Sequence, residues 1–317
     1  MQISKEKNLT LVRVQVPAST TNIGPGFDTI GVALNLYNRI ELDELPWGLS
    51  IHVEGEGAGI IPQDETNICV DAVKAVYKKA NIPFKGLWMK QRNHIPLSRG
   101  LGSSSAALVG GIVAGNLLIG EPLSLDELVQ IAVKMEGHPD NVVPALVGGF
   151  CVSAIGENGK TIYTRVPVQE NYNWVILVPD FEVNTSEARK KLPSKVTLSD
   201  ATFNVQRVAM LLAAFSSGRN DLFSEGMEDR LHQPYRKELM GPLDEVFEAG
   251  RNAGALGVCI SGAGPCVLAI CKDDAKQIGI AMQKIYTEHG INSRIHHLRS
   301  DPLGAHSILS FSESFSI

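Results

Sequence analysis

The stretch Pro96-Leu97-Ser98-Arg99-Gly100-Leu101-Gly102-Ser103-Ser104-Ser105-Ala106 passes from a glycine turn into an apolar helical run that continues to about Leu118. Gly100 and Gly102 carry no Cβ, so backbone amides can converge there. The serines then open a helix whose free N–H groups and dipole amount to about +0.5 charge. Such a turn is a cradle for phosphate. It is not a Walker loop, since no Gly-x-x-x-x-Gly-Lys-Ser/Thr occurs in the chain, and Gly-x-Gly-x-x-Ser also departs from the dinucleotide fingerprint. In isolation the stretch reads equally well as an ordinary strand-to-helix turn capped by serine.

Upstream, residues 10–16 alternate as a half-buried strand that Pro17 is expected to end, leaving a loop from Ala18 to Asp28. Strands are expected over Ile30–Leu42 and Leu49–Val53, an amphipathic helix from Thr66 through Ala80, and a strand over Leu87–Gln91. Downstream, Ser124-Leu-Asp-Glu127 is a capping box for a helix over 125–136 that stops at Gly137, and Pro139 opens a short helix closed by Gly148-Gly149. A hairpin is expected over Phe150–Ala154 and Thr161–Val166. The second half reads as a strand at Trp174–Pro179, helices near 200–217, 221–229 and 240–253, strands at Gly257–Ser261 and Cys266–Cys271, and a helix over Asp273–Glu288. This order predicts an α+β protein rather than a doubly wound parallel sheet, with a domain boundary near 165–172.

The 317 residues hold 29 Lys+Arg against 34 Asp+Glu, a net charge of −5, with 44% hydrophobic and 20% charged residues. Two domains' worth of globular chain follows, long enough to bury roughly three quarters of its unfolded surface. The mild acidity argues against nucleic acid and against an anionic membrane, both of which need a basic footprint. Five scattered cysteines without a Cys-x-x-Cys pair argue against a disulfide framework and a zinc site. Met1 to Asn8 lacks the apolar stretch of a secretory signal, so a cytoplasmic location is expected. Thirty glycines cluster around 24–26, 100–102, 148–149 and 262–264, where backbone is expected to approach something closely.

The cradle resembles the Pro-x-x-x-Gly-Leu-Gly-Ser-Ser-Ala signature of the GHMP kinases, and three further segments extend the likeness from residue 14 to residue 268. VQVPASTTNIGPGFDTIG (14–31) and EGHPDNVVPALVGG (136–149) look like the first motif and the Glu-Gly-His motif in their homoserine kinase form, and SGAGPCVL (261–268) resembles the third motif. The chain departs in two places: Ser105 stands where the family usually has Ala, free to add a phosphate contact, and Cys266 where Thr or Ser is commoner. The resemblance implies a ribosomal protein S5 domain 2-like N-terminal, ATP-binding domain over 1–168 and a ferredoxin-like α/β sandwich C-terminal domain over 169–317. It also implies ATP with Mg²⁺ as cofactors and transfer of phosphate to the hydroxyl of L-homoserine, in threonine biosynthesis.

By the same resemblance, residues Pro96 to Ala106 hold the phosphates, Thr66 and Asn67 lie toward adenine, and Ser104 and Glu136 contact the metal. Asp140 and Asn141 face the attacking hydroxyl; Asp140 matches the carboxylate that galactokinase-like and mevalonate kinase-like relatives are proposed to use as a base, with passage of the proton toward phosphate the open alternative, and His138 either orients substrate or hydrogen-bonds locally. A zwitterionic substrate needs an acid or amide for its ammonium and a planar cation for its carboxylate. Asn22 and Asp28 suit the first need. Arg189, in a segment opened by Thr185, and Arg236, in His232-Gln-Pro-Tyr-Arg236, suit the second. Gly262 and Gly264 let the third loop approach the substrate and brace the cradle. Two other readings stand beside this one: a GHMP kinase of another alcohol (mevalonate, shikimate or a sugar), and a GHMP fold kept only for binding. The expected partner is a small molecule, with a homodimer left open.

Overall fold

The computed structural model describes residues 11–169 and 171–309; the segment Met1 to Asn8 lies outside them. The first sheet is built from β1 (Val12–Asn22), β2 (Gly26–Glu44), β3 (Gly48–Gly55), β4 (Gly86–Asn93), the hairpin β5 (Phe150–Ile155) and β6 (Thr161–Val166), and a short late strand at His306–Ser307. Its order runs His306–Ser307, β1, β2, β4, β3, with β5 joined to the far part of β2. Four helices accompany it: α1 (Ile68–Lys79), α2 (Ser103–Leu118), α3 (Leu125–Glu136) and α4 (Pro139–Val147). α1 connects the parallel pair β3 and β4. α2 is apolar on nearly every side because it is enclosed by the sheet and by α1, α3 and α4. α3 begins in the expected capping box and ends at Gly137 in the left-handed region.

The second sheet is fully antiparallel. It orders Ser293–Leu298, β7 (Asn173–Pro179), Val267–Cys271 and Gly257–Ile260, the last two being β9 and β8 and the first β10. β8 and β9, and β7 after Asn173, are apolar because both their faces are buried, whereas the edge strand β10 (SRIHHL) is mostly polar; the side-chain period of two divides the inner strands between two cores. Trp174, Ile176 and Val178 join the core of the first sheet, whereas Val175 and Leu177 face a second core. That second core is closed by α9 (Leu243–Asn252) and α10 (Ala275–Glu288). Between the sheets lies an aromatic cluster centred on Phe215 of α6 (Leu198–Ser217), whose ring centroid is 4.4 Å from Phe150, 4.8 Å from Phe223 and 5.9 Å from a nearly parallel Trp174.

Two expectations are corrected. Pro17 does not end β1, and Ala18–Asp28 is largely strand. Pro17 sits at a register shift against β2, where the ladder is already interrupted, so its missing N–H forfeits no bond. The helix expected over 221–229 is reduced to a 3₁₀ turn and α7 (Phe223–Gly226), because the Asp229 carboxylate captures the amides of Leu231, His232 and Gln233 and bends the chain into α8 (Gln233–Arg236). No element was expected after α10, and there the chain forms β10 and returns to the first sheet, where His306–Ser307, β11, pair with Val14 and Gln15. α5 (Thr185–Lys190), capped by Asn184, was also not anticipated. The five cysteines are buried, and none is in a disulfide. Among the described residues no helix is long and apolar enough to cross a membrane.

Replacing Phe215 by Ala should open a void in the layer that joins the two sheets and lower stability by about 3–5 kcal/mol. Urea unfolding followed by tryptophan fluorescence checks this, a midpoint unchanged from wild type being the contrary result.

Candidate active site

The cradle is held open from behind. The Ser19 amide on β1 donates to Leu101 O at 3.1 Å, the Ser261 hydroxyl to Gly100 O at 2.7 Å, and the Cys266 amide to Arg99 O at 3.2 Å. With its carbonyls held there, the turn leads into the first-turn amides of α2, which have no carbonyl inside the helix to bond. Gly102 is the residue before the helix, at φ +66, and a Cβ on it would lie 2.2 Å from Ser19 Oγ and 2.9 Å from Asn141 Oδ1. Ser261 in turn is bonded to Thr20 Oγ1, and the Gly262 amide to Thr21 O, so β1, the cradle and the third glycine loop form one braced unit.

In front of the cradle is a cavity of about 540 Å³. It gathers Asn22, Asp28, the residues from Ser98 to Ser105, Glu136, His138, Asp140, Asn141, Thr185, Arg189, Arg236 and Gly262, drawn from both sheets' surroundings. Gly264 stands behind Gly100 rather than in the wall, and Pro96 and Ala106 are likewise outside the lining. Thr66 and Asn67 line a second cavity of about 270 Å³ that shares Ser98, Ser103 and Ser104 with the first and adds Ile61, Pro62, Ile68, Leu97 and Ala107. Both polar ends of Asn67 are engaged there, since its Oδ1 caps α1 through Cys69 N and its Nδ2 reaches Pro62 O and Gln91 Oε1. Arg99 turns away from the cradle, donating to Pro179 O and Asp180 O beyond the end of β7.

The wall opposite the cradle is α4. Asp140 lies in its first turn, 3% exposed, with Oδ1 2.6 Å from His138 Nδ1. β2 lies so close to this turn that a Cβ on Gly31 would stand 1.9 Å from Asp140 O, which explains a glycine in mid-strand. Asn141 Oδ1 accepts from the Ser19 hydroxyl at 2.8 Å. Ser105 lines the cavity but is 2% exposed, and its hydroxyl donates to Glu136 Oε1 at 2.6 Å, because the helix turns its side chain toward α3. Ser104, one residue earlier, is exposed into the cavity.

The third wall is ionic. Arg189 forms a bidentate pair with Asp28, both bonds 2.8 Å. Asn22, with φ +69, accepts the Asp28 amide and donates to Gly262 O, so it braces the loop. Arg236 is 2% exposed and donates through Nη1 to Gly262 O and His232 Nδ1, while its Nε has no partner among the described residues. Burial, and then the nearby Arg189, lower its pKa to about 10, so it remains a cation at neutral pH. His232 was quoted in the sequence only as part of a segment. It is fully buried, donates from Nε2 to Gly24 O at 2.6 Å, and burial holds its pKa below the usual histidine value.

Residues 67–149 match the family described as GHMP kinases N terminal domain, and residues 211–287 the one described as GHMP kinases C terminal. The fold is therefore that of an ATP-dependent phosphotransferase of the GHMP class. A homoserine kinase of Carboxydothermus hydrogenoformans is 40% identical over 95% of this chain and 98% of its own length, and one of Moorella thermoacetica is 45% identical over 90% and 96%. The crystal structure of homoserine kinase from Cytophaga hutchinsonii matches with a TM-score of 0.87 at 30% identity, over 97% of this chain and all of that one. A mevalonate kinase of L. major, at 17% identity and a TM-score of 0.68, covers 94% of this chain and 97% of its own and shares the fold. The chain belongs to the homoserine kinase family.

The hydrogen bond that His138 Nδ1 donates to Asp140, opposed by burial, raises the pKa of His138 above its ordinary value. A group raised in the folded state stabilises fully below its unfolded pKa of about 6.5 and loses that contribution as pH rises through the folded value. The Tm difference between wild type and His138→Gln should therefore narrow from about pH 6 to about pH 9. A difference that stays constant or widens across that range contradicts the pairing.

Proposed function

We propose that the chain transfers the γ-phosphoryl group of ATP to the side-chain hydroxyl of L-homoserine, giving O-phospho-L-homoserine on the route to threonine. The observation that carries this reading is the meeting, in one cavity, of the amide cradle with Asp28, Arg189 and Arg236. Phosphoryl transfer asks a protein mainly for positioning and for stabilisation of charge on the transferred group. The cradle amides and the start of α2 receive the β and γ phosphates. The smaller cavity, apolar along Ile61, Pro62, Ile68 and Leu97 and continuous with the cradle through Ser103 and Ser104, takes the adenine.

The zwitterion suits the third wall. Asp28 and Arg189 now neutralise each other, and a substrate entering beside them exchanges one ion pair for two, ammonium on Asp28 and carboxylate on Arg189 and Arg236. Its hydroxyl then lies toward Asp140 and Asn141. Asp140 holds His138 through Oδ1, which leaves Oδ2 to accept from the hydroxyl. Two oxygen donors, Ser104 Oγ and the Glu136 carboxylate steadied by Ser105, fit Mg²⁺, which retains waters and uses few protein ligands alongside phosphate. When bound, that ion neutralises charge between the β and γ phosphates. A cytoplasmic location fits an enzyme that consumes ATP.

ADP release measured separately with homoserine, mevalonate, shikimate and galactose tests the substrate; turnover of any of the others without homoserine overturns it. Arg189→Ala should mainly raise the KM for homoserine, and Asp140→Asn should chiefly lower kcat, by about 10²–10⁴-fold if the carboxylate takes the proton. An unchanged kcat in the Asp140 variant would mean that the hydroxyl proton passes directly to phosphate.

A further inference from the structure

Phe27 precedes Asp28 on β2 and is half-buried at the edge of the ionic wall. Its ring centroid lies 5.4 Å from Arg189 Cζ and 5.3 Å from Arg236 Cζ, both inside the range of cation–π attraction. The His232 ring stacks on it with centroids 5.2 Å apart and planes 25° from parallel. One benzene ring therefore touches both guanidinium groups and the imidazole that holds one of them.

The two arginines repel each other, and Arg236 is buried with one nitrogen unpartnered among the described residues. A second carboxylate in the wall would relieve that repulsion, but it would also occupy the N–H groups that a ligand needs. An aromatic face attracts a cation without using any of its donors, so it takes no further N–H from either guanidinium: Arg189 keeps the two that now pair with Asp28 and can be exchanged for a ligand, and Arg236 keeps its Nε. His232 backs this arrangement: its Nε2–H is committed to Gly24 O, which leaves Nδ1 as the acceptor for Arg236. Asp229 fixes His232 in turn by accepting its amide at 3.0 Å.

We propose that Phe27, seated on His232, is a positioning residue that holds Arg189 and Arg236 together as a receptor for the substrate carboxylate. This rests on the homoserine reading above and extends it from the ion-pairing groups to the surface that presents them. Phe27 touches the arginines and acts through them.

The test is steady-state kinetics on the full chain carrying Phe27→Leu or Phe27→Tyr, with homoserine and ATP varied separately. Phe27→Leu should raise the KM for homoserine about ten-fold and leave the KM for ATP within about two-fold, while Phe27→Tyr, which keeps the ring face, should stay near wild type. Because Leu also changes packing, phenylalanines carrying one, two and three ring fluorines are placed at position 27 by site-specific incorporation. Each keeps the shape and weakens the negative face, so the KM for homoserine should climb stepwise. A homoserine KM unmoved by Leu, a Tyr variant as impaired as Leu, or a fluorine series without a trend each overturns the proposal while wild-type turnover of homoserine continues. Absence of homoserine-dependent ADP release in the wild type overturns the substrate reading, and the proposal with it.

Discussion

Two hydrogen bonds, from the Ser261 hydroxyl to Gly100 O and from the Ser19 amide to Leu101 O, pin the outer side of the cradle turn. The donors come from β1 and from the loop between β8 and β9, so the turn is shaped by both sheets. A turn whose carbonyls are satisfied on one side has its amides available on the other, and this requirement settles much of what surrounds it. Gly102 must be glycine because Ser19 and Asn141 stand where a side chain would go. β1 must continue past Pro17 to deliver Ser19, Thr20 and Thr21, and Asn141 must come close enough to share Ser19.

The protein is acidic overall, yet the site proposed for ATP and homoserine must receive anions. Local devices do the work: amide dipoles and two guanidinium groups act over a few ångströms in a partly enclosed space where their fields are weakly screened. Acid sits there too, in Asp28, Glu136 and Asp140, and each of these carboxylates has a partner: Arg189, Ser105 and His138 respectively. Ser105 is neutral, so Glu136 and Arg236, one of each sign, are the charges here with no ion-pair partner among the described residues.

Features fixed by short-range chemistry were legible in the sequence. The cradle, the capping box at Ser124, Pro139 opening α4 and the alternation of strands depend on neighbours a few residues apart. What escaped depends on distant partners. Pro17 reads as a terminator unless the register shift against β2 is known. α8 is organised by the Asp229 carboxylate and the Asn204 amide bonded to it, twenty-five residues apart in the chain. Ser105 finds Glu136 only after α2 and α3 have packed, and a single Phe in a glycine-rich loop gives no sign that two arginines more than 160 residues away will settle against it. The aromatic residue nevertheless stood in plain view beside Asp28; the signal that could have exposed it was its place next to a charged site residue in a segment otherwise made of small side chains.

The return of the chain after β10 also bears on the site. Asp301 accepts the Tyr37 hydroxyl and the amides of Leu303 and Gly304, its own amide bonds Ala33 O, its carbonyl takes the Gly149 amide, and the Ala305 amide bonds Ala145 O at the end of α4. The helix that carries Asp140 is therefore buttressed by residues synthesised some 160 positions after it. A nascent chain that has already emitted the glycine loops and the Glu-Gly-His segment still lacks the strap that steadies their far wall. The ribosome therefore delivers this strap after the wall that it supports, so the order of synthesis differs from the order in which the finished site depends on its pieces.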